Sequence, residues 1–178
     1  MKDTKSLEIE RKWMVTCFPK FDTVFYPVSV LQITQFYNEK NERFRETISP
    51  DDKVVYKRTV KQGEGLVREE VEETISLEKY LDAFNKLGNN TPILKTRYKI
   101  PFGDFVIELD EFDTGELYAE IEFSSEEQAR SLVVLPDWFG EEVTEQKGHD
   151  NFSIFKQKQL QRISGKCQCY SCKQAGKT

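Results

Sequence analysis

Leu7-Glu8-Ile9-Glu10-Arg11-Lys12-Trp13 is the stretch whose reading decides the fold. In a strand, successive side chains point to opposite faces. Glu8, Glu10 and Lys12 then share one face, and Leu7, Ile9 and Trp13 share the other. The apolar row is what a sheet buries. The charged row recurs downstream in Arg43-x-Arg45, Lys57-x-x-x-Lys61, Lys95-x-Arg97 and Glu120-x-Glu122.

Outward from that stretch, the chain reads as hairpins at close spacing. Residues 6–15 form the first strand, and a loop or short helix spans Cys17 to Tyr26 between Pro19 and Pro27. Ser29 to Asn38 and Glu42 to Ile48 flank the turn material Asn38 to Asn41. Ser49-Pro50-Asp51-Asp52 turns into Lys53 to Lys61, and Gly63 and Gly65 turn into Leu66 to Ile75. Ile93 to Ile100, Phe105 to Glu111 and Leu117 to Phe123 complete about eight antiparallel strands. Ser76 caps a helix with Leu77, Tyr80, Leu81, Phe84 and Leu87 on its apolar stripe, closed by Gly88. A second helix runs through Glu126 to Leu132. A third covers 151–163, with Phe152, Phe155, Leu160 and Ile163 as expected contacts.

Length and composition set the outer bounds. The chain has 178 residues, enough for one domain with a normal core, and 32% of them are charged. The expected division is a domain over 1–164 and a tail over 165–178. No apolar run approaches membrane-spanning length, and Met1-Lys2-Asp3-Thr4-Lys5 does not read as a signal peptide, so the expected address is the cytoplasm. A net charge of −5 argues against general nucleic-acid binding. Cys17 stands alone, and Cys167, Cys169 and Cys172 crowd the last dozen residues, which is no disulfide framework.

The charged face admits two readings. An ordinary antiparallel sheet turns its polar face to water. Such faces favour neighbours of opposite sign, whereas here acids sit beside acids and bases beside bases, which repel unless a third party lies between them. Carboxylate pairs are hard ligands for Mg²⁺ or Mn²⁺, and rows of Arg and Lys match phosphate oxygens. About eight strands is also the size at which a sheet closes into a barrel. Closure with the charged face inward predicts a polar tunnel that takes a metal–polyphosphate complex.

The Glu8-Ile9-Glu10-Arg11-Lys12 run resembles the ExExK signature of the CYTH, or triphosphate tunnel metalloenzyme, superfamily. The resemblance continues in order through Gln35-x-Tyr37, Arg43-x-Arg45, Thr59-Val60-Lys61 and Arg68-Glu69-Glu70. Lys95-Thr96-Arg97-Tyr98, Glu108-Leu109-Asp110, Ala119-Glu120-Ile121-Glu122 and Val143-Thr144 complete it, over roughly residues 5–160. It implies a mainly β, α+β fold: a closed eight-stranded antiparallel tunnel with helices outside. Implied activities are inorganic triphosphatase, thiamine triphosphatase, RNA triphosphatase and class IV adenylyl cyclase. Glu8, Glu10, Asp110, Glu120 and Glu122 would hold Mg²⁺ or Mn²⁺, with Glu10 essential to turnover. Lys12, Arg43, Arg45, Lys61, Arg68 and Arg97 would hold phosphate oxygens. Lys95, with Tyr37, would steer or deprotonate the attacking water, unless it is one more phosphate clamp. Glu70, Glu72 and Glu108 would balance the cations.

Within that family, inorganic triphosphate needs nothing beyond the tunnel and is the first expectation. Thiamine triphosphate would need an aromatic platform, for which Trp13, Trp138 and Phe139 are candidates with core packing the plainer role. A cyclase would need a nucleoside pocket. A polyphosphate or nucleotide sensor without turnover is the remaining alternative, and a homodimer is left open. Cys167, Cys169 and Cys172 read either as three zinc ligands, completed by Cys17, His149 or another subunit, or as free thiols. His149 sits in Gly148-His149-Asp150 and is expected at the surface. The 151–163 helix is placed to plug one tunnel end.

Overall fold

The computed structural model of the chain describes residues 4–21, 26–63 and 65–163. The expected tail, with Cys167, Cys169 and Cys172, lies outside the described residues, as does part of the loop after Cys17.

β1 (Thr4–Val15) pairs through its first half with β5 (Val67–Thr74) and through its second with β8 (Leu117–Glu122). The remaining wall comprises β2 (Ser29–Tyr37), β3 (Arg43–Ile48), β4 (Val54–Gln62), β6 (Ile93–Phe102) and β7 (Phe105–Phe112). The order is β5-β4-β3-β2-β6-β7-β8-β1, every pairing is antiparallel, and the β5–β1 pair closes eight strands into a barrel. The hairpins follow from local turn chemistry: Asn41 and Asp52 take φ near 61° and 59°, a left-handed conformation that Asn and Asp tolerate.

A ninth strand, β9 (Phe139–Glu142), lies against β1 at Trp13 and Val15 and has no counterpart in the sequence reading. Four residues with no alternation give a pattern too short to read. Its close approach depends on Gly140, where a Cβ would come 2.8 Å from the Met14 carbonyl oxygen.

Directly opposed residues of an antiparallel pair project to the same face. The register therefore fixes the interior: Glu8 faces Arg68, Glu10 faces Glu122, Lys12 faces Glu120, and Gln35 faces Arg45. Arg43 faces Thr59, Lys61 faces Glu70, Arg97 faces Asp110, and Glu108 faces Glu120. The charged rows read from the sequence are the lining of the barrel.

The apolar rows face outward and are covered over most of their length; Leu7, expected on the buried row of β1 with Ile9 and Trp13, stays 64% exposed. Trp13, Ile100, Ile107, Leu109, Ile121 and Phe123 pack under α2 (Glu126–Ser131) and the segment 132–139. Four of these, the three isoleucines and Leu109, have no exposed surface, and each such side chain contributes about 1.5–3 kcal/mol. On the opposite side, α1 (Leu77–Asn85) starts at Ser76, whose side chain accepts from the Lys79 amide at 3.3 Å. Its Tyr80 and Phe84 each meet the Phe36 ring at 5.5 Å. Leu77 and Leu81, expected on the buried stripe, stay 49% and 46% exposed because the helix touches the barrel through Tyr80 and Phe84 instead.

α3 (Asn151–Ile163) is seated on the barrel interior at its first residue, where Asn151 accepts from Gln35 at 3.0 Å and Lys95 at 3.4 Å. The rings of Phe152 and Phe155 pack at a tilt against Tyr37, which faces inward opposite Arg43, at 5.2 and 5.5 Å. Leu160, expected as a contact, is 66% exposed; α3 goes on meeting the segment before β6 through Lys158, Gln159 and Arg162, and Leu160 falls outside that face. No helix among the described residues is long and apolar enough to cross a membrane.

Candidate active site

A cavity of about 410 Å³, in the range of small-ligand sites, lies between the inner faces of β1, β3, β4 and β5 and the segment 143–153. From the wall it is lined by Glu10, Lys12, Tyr37, Arg43, Thr59, Lys61 and Arg68. Strand alternation puts these side chains there, since each sits on the charged face of its strand.

The cations nearest the cavity are only partly satisfied. Arg43 donates to Thr59 Oγ1 at 3.0 Å and reaches Glu70 at 3.5 Å, yet its buried Nε has no hydrogen-bond partner among the described residues. Arg68 bridges Glu8 and Glu10 at 3.2 Å each, and its buried Nε is likewise unpartnered among the described residues. Buried donors left unmade are destabilising by about 1–3 kcal/mol each, so an anion accepting from them would be bound favourably. Lys61 donates to both oxygens of Glu8, at 2.6 and 2.7 Å. Lys12 donates to Glu120 at 2.8 Å and lies 4.4 Å from the centre of the Tyr118 ring. Arg45, deeper in the barrel, donates only to Gln35 among the described residues, at 3.2 and 3.0 Å. Burial, with Arg43 and Arg97 beside it, pulls its guanidinium down to about 10.

The carboxylates are crowded. Glu10 stands opposite Glu122 and Glu108 opposite Glu120, and like charges at such positions repel. Burial, with Glu120 and Glu8 nearby, pushes Glu10 up to about 7. Burial and the charges of Glu8, Glu108 and Glu70 raise Glu122 as well. Glu120, despite its burial, is held well below the usual carboxylate range by Lys12 and Arg97. These hard oxygen donors fit Mg²⁺ or Mn²⁺ in kind. As the side chains stand, no three of them gather into a ready ligand cluster among the described residues. Lys61 is bonded to Glu8, and Lys12 and Arg97 to Glu120.

Behind this layer lies a sealed ionic network. Asp110 has no exposed surface; Lys95 donates to one of its oxygens at 2.5 Å, and Arg97 grips both at 2.6 Å. Arg97 also bonds Glu120 and Glu108. Burial pulls the Lys95 ammonium down to about 7 against the opposing charge of Asp110. Lys95 and Asp110 do not line the cavity; both stand one layer deeper. Lys95 still touches the cavity rim through Asn151, whose Oδ1 accepts from Lys95 at 3.4 Å and from Gln35 at 3.0 Å. Glu70 and Glu72 pair with Lys61 and Lys57, and Glu108 with Lys99, as expected of counter-charges.

The sequence reading missed most of the roof. Residues 143–153 cross the cavity, anchored where Thr144 Oγ1 accepts from the Lys12 amide at 3.0 Å and donates to Glu142 at 2.8 Å. Gly148, at φ 97°, turns the roof, and Asp150 caps α3 by accepting from the Ser153 amide at 2.9 Å. Gly148 followed by an Asp cap was the available signal. His149 is therefore not a free surface residue: it is half-buried, lines the cavity and lies 2.9 Å from the Tyr118 hydroxyl. Trp13 and Trp138 are 1% and 9% exposed and pack on Phe139, so they offer no platform to a ligand.

No family model matches the sequence. The chain is 34% identical over 153 residues to a protein of Nitrosomonas europaea described as an inorganic triphosphatase, covering 83% of this chain and 95% of that one. The crystal structure of the inorganic triphosphatase NE1496 matches 83% of this chain and 93% of its own, with 27% identity and a TM-score of 0.52. A second crystal structure, of the hypothetical protein NE1496, matches at 28% identity, 83% and 96% coverage and a TM-score of 0.53. With that extent of identity and a shared barrel, the chain belongs to the family of the Nitrosomonas europaea inorganic triphosphatase.

Proposed function

We propose that the chain is a divalent-metal-dependent tunnel enzyme of the CYTH type that hydrolyses inorganic triphosphate to pyrophosphate and phosphate. The observation that carries this reading is the cavity wall. Lys12, Arg43, Lys61 and Arg68 line one cavity, and the buried Nε atoms of Arg43 and Arg68 have no acceptor among the described residues. The relationship to an inorganic triphosphatase supports the same substrate.

In the reaction a water oxygen bonds to a terminal phosphorus as the bridging P–O bond breaks. Pyrophosphate leaves, and the proton of the attacking water passes to solvent or a nearby base. Charge spreads over the phosphoryl oxygens in the transition state, so fixed cations aimed at them lower the barrier. Lys12 and Lys61 act as point charges. Arg43 and Arg68 offer forked donors, and Arg45 and Arg97 add positive potential from below. Glu8, Glu10, Glu120 and Glu122, with Asp110, would hold Mg²⁺ or Mn²⁺, which when bound polarises the phosphate oxygens. Tyr37, at the cavity wall, and Lys95, behind Asn151, are the residues we assign to orienting the attacking water.

The test is phosphate release from inorganic triphosphate, ATP and thiamine triphosphate, with Mg²⁺ or Mn²⁺ and after chelation. Turnover of inorganic triphosphate that needs metal, and that falls by at least a hundredfold in Glu10→Gln, is expected. Triphosphate bound without turnover, or a Glu10→Gln variant as active as the wild type, overturns the reading.

A further inference from the structure

The wall cations approach a ligand from one side; the roof brings His149, the single histidine of the chain, to the other. Its Nδ1 lies 2.9 Å from the Tyr118 hydroxyl, and the two rings meet edge-on at 5.9 Å. Tyr118 is itself fixed. It is 4% exposed, stacks edge-on with Phe112 at 5.8 Å, and carries the Lys12 ammonium over its face at 4.4 Å. One residue thus supports both a wall cation and the roof.

The pair decides the tautomer of the imidazole. Were Nδ1 to carry the proton, it would donate to the phenol oxygen, and the phenol O–H would need another acceptor. Among the described residues the Tyr118 hydroxyl has no partner but His149. With the phenol donating to Nδ1, both groups are satisfied and the ring proton sits on Nε2. The ring edge not held by Tyr118 is then a hydrogen-bond donor on a residue that lines the cavity.

Resting on the triphosphate reading of this cavity, we propose that His149 is a further substrate-contacting residue, donating from Nε2 to a phosphate oxygen in the cavity that Lys12 also lines. Tyr118 is its positioning residue, fixing which ring nitrogen carries the proton. The sequence reading gave neither residue a place at the substrate and named His149 only as a possible zinc ligand, because the contact joins β8 to a loop some thirty positions later and no periodicity links them.

Having one histidine makes the ring directly observable. In the full-length protein at about pH 8, where an ordinary imidazole is neutral, the ¹⁵N spectrum of His149 is expected to show the Nε2–H tautomer. Its Nε2 signal is expected to shift on addition of inorganic triphosphate in chelator, where turnover is suppressed. An Nδ1–H tautomer overturns the proposal. So does an unmoved His149 signal while backbone amides of Lys12 and Arg43 respond, and in that case the triphosphate site itself stands. No response anywhere in the protein defeats both.

Kinetics give a second arm. A hydrogen bond to a charged oxygen corresponds to about 10- to 100-fold in kcat/KM, and His149→Phe should lose that much. His149→Gln, which keeps a donor, should recover most of the loss. Tyr118→Phe should fall less, and the Tyr118→Phe/His149→Phe double variant should be no worse than His149→Phe alone. Additive losses, or His149→Phe within twofold of wild type, overturn the assignment.

Discussion

Arg11 is the one residue of the opening stretch that breaks the apolar row, and the structure says what its removal will do. It sits on the outer face of β1, next to the Trp13 ring, 4.8 Å from its centroid. One terminal nitrogen donates to the carbonyls of Ala129 and Leu132, both at 2.8 Å, capping the end of α2. Nε and the other terminal nitrogen grip Glu142 of β9 at 2.9 and 2.6 Å. The two carbonyl bonds are worth about 1.5 kcal/mol each as charge-assisted bonds. The Glu142 pair, 38% exposed on the acid, adds about 0.5 kcal/mol after solvent screening. The stacking on Trp13 adds about 0.5 kcal/mol. Water will replace part of the capping, so Arg11→Ala should be destabilised by about 3 kcal/mol, a fall in Tm of about 6–12 °C. Chemical denaturation measures the first and calorimetry the second. Arg130→Ala is the internal control: its i,i+4 pair with Glu126 is exposed on both sides and should change stability by less than about 0.5 kcal/mol. If Arg11→Ala loses under 1 kcal/mol, or no more than Arg130→Ala, the three-way clamp is not holding α2 and β9 to the barrel.

The same clamp has a pH signature. The hydrogen bonds from Arg11 hold Glu142 below the ordinary glutamate range. A carboxylate depressed on folding stabilises above its unfolded pKa and loses that contribution as the pH falls through its folded value. The stability gap between wild type and Glu142→Gln should therefore be full at neutral pH and shrink below about pH 4.3, the unfolded glutamate value; a gap independent of pH would show that charge is not involved. Asn151→Ala removes the acceptor for the Gln35 amide, on a residue with no exposed surface, and should be destabilised by about 1–3 kcal/mol in urea unfolding. A change under 0.5 kcal/mol would mean that the Gln35 amide finds another partner.

The barrel was legible because a period of two is a local signal. The alternation read from the sequence is the one the strands carry, and the register sets many of the inward charges against one another, as in Lys12 with Glu120 and Arg97 with Asp110. The cations and carboxylates of the site were legible for the same reason, being simply the inward row. Depth was not legible. Arg43 at the cavity and Arg97 behind it both sit on an inward cationic row, and nothing in either local pattern says which of them reaches the cavity. Leu160 shows a related limit from the helical side: α3 meets its neighbours through the polar Lys158, Gln159 and Arg162, which an apolar period does not single out, while Leu160 stays exposed. The roof was least legible, because 143–153 acquires its meaning from Thr144 meeting the β1 backbone and from Tyr118 meeting His149, contacts between segments distant in the chain.

If the carboxylate row exists to receive a cation and its phosphates, it should be a liability to the fold when neither is present. Glu10 and Glu122 oppose each other across β1 and β8, and the opposed Glu108 and Glu120 lie beside them. Opposed like charges are destabilising by roughly 0.2–1 kcal/mol a pair. Glu10→Gln removes one such charge and keeps an acceptor for Arg68, which retains Glu8 in any case. In chelator, that variant should be more stable than wild type by up to about 1 kcal/mol, a rise in Tm of about 2–4 °C. Adding Mg²⁺ or Mn²⁺ should raise the wild-type Tm and leave the variant nearly unmoved, because ligand binding stabilises only the state that binds. A frame-building role makes the opposite forecast. Were Glu10 there to hold Arg68 and the sheet in place, its amide would be less stable than wild type with or without metal. That outcome would separate the carboxylate row from ligand binding, and the barrel would need another reason to line itself with like charges.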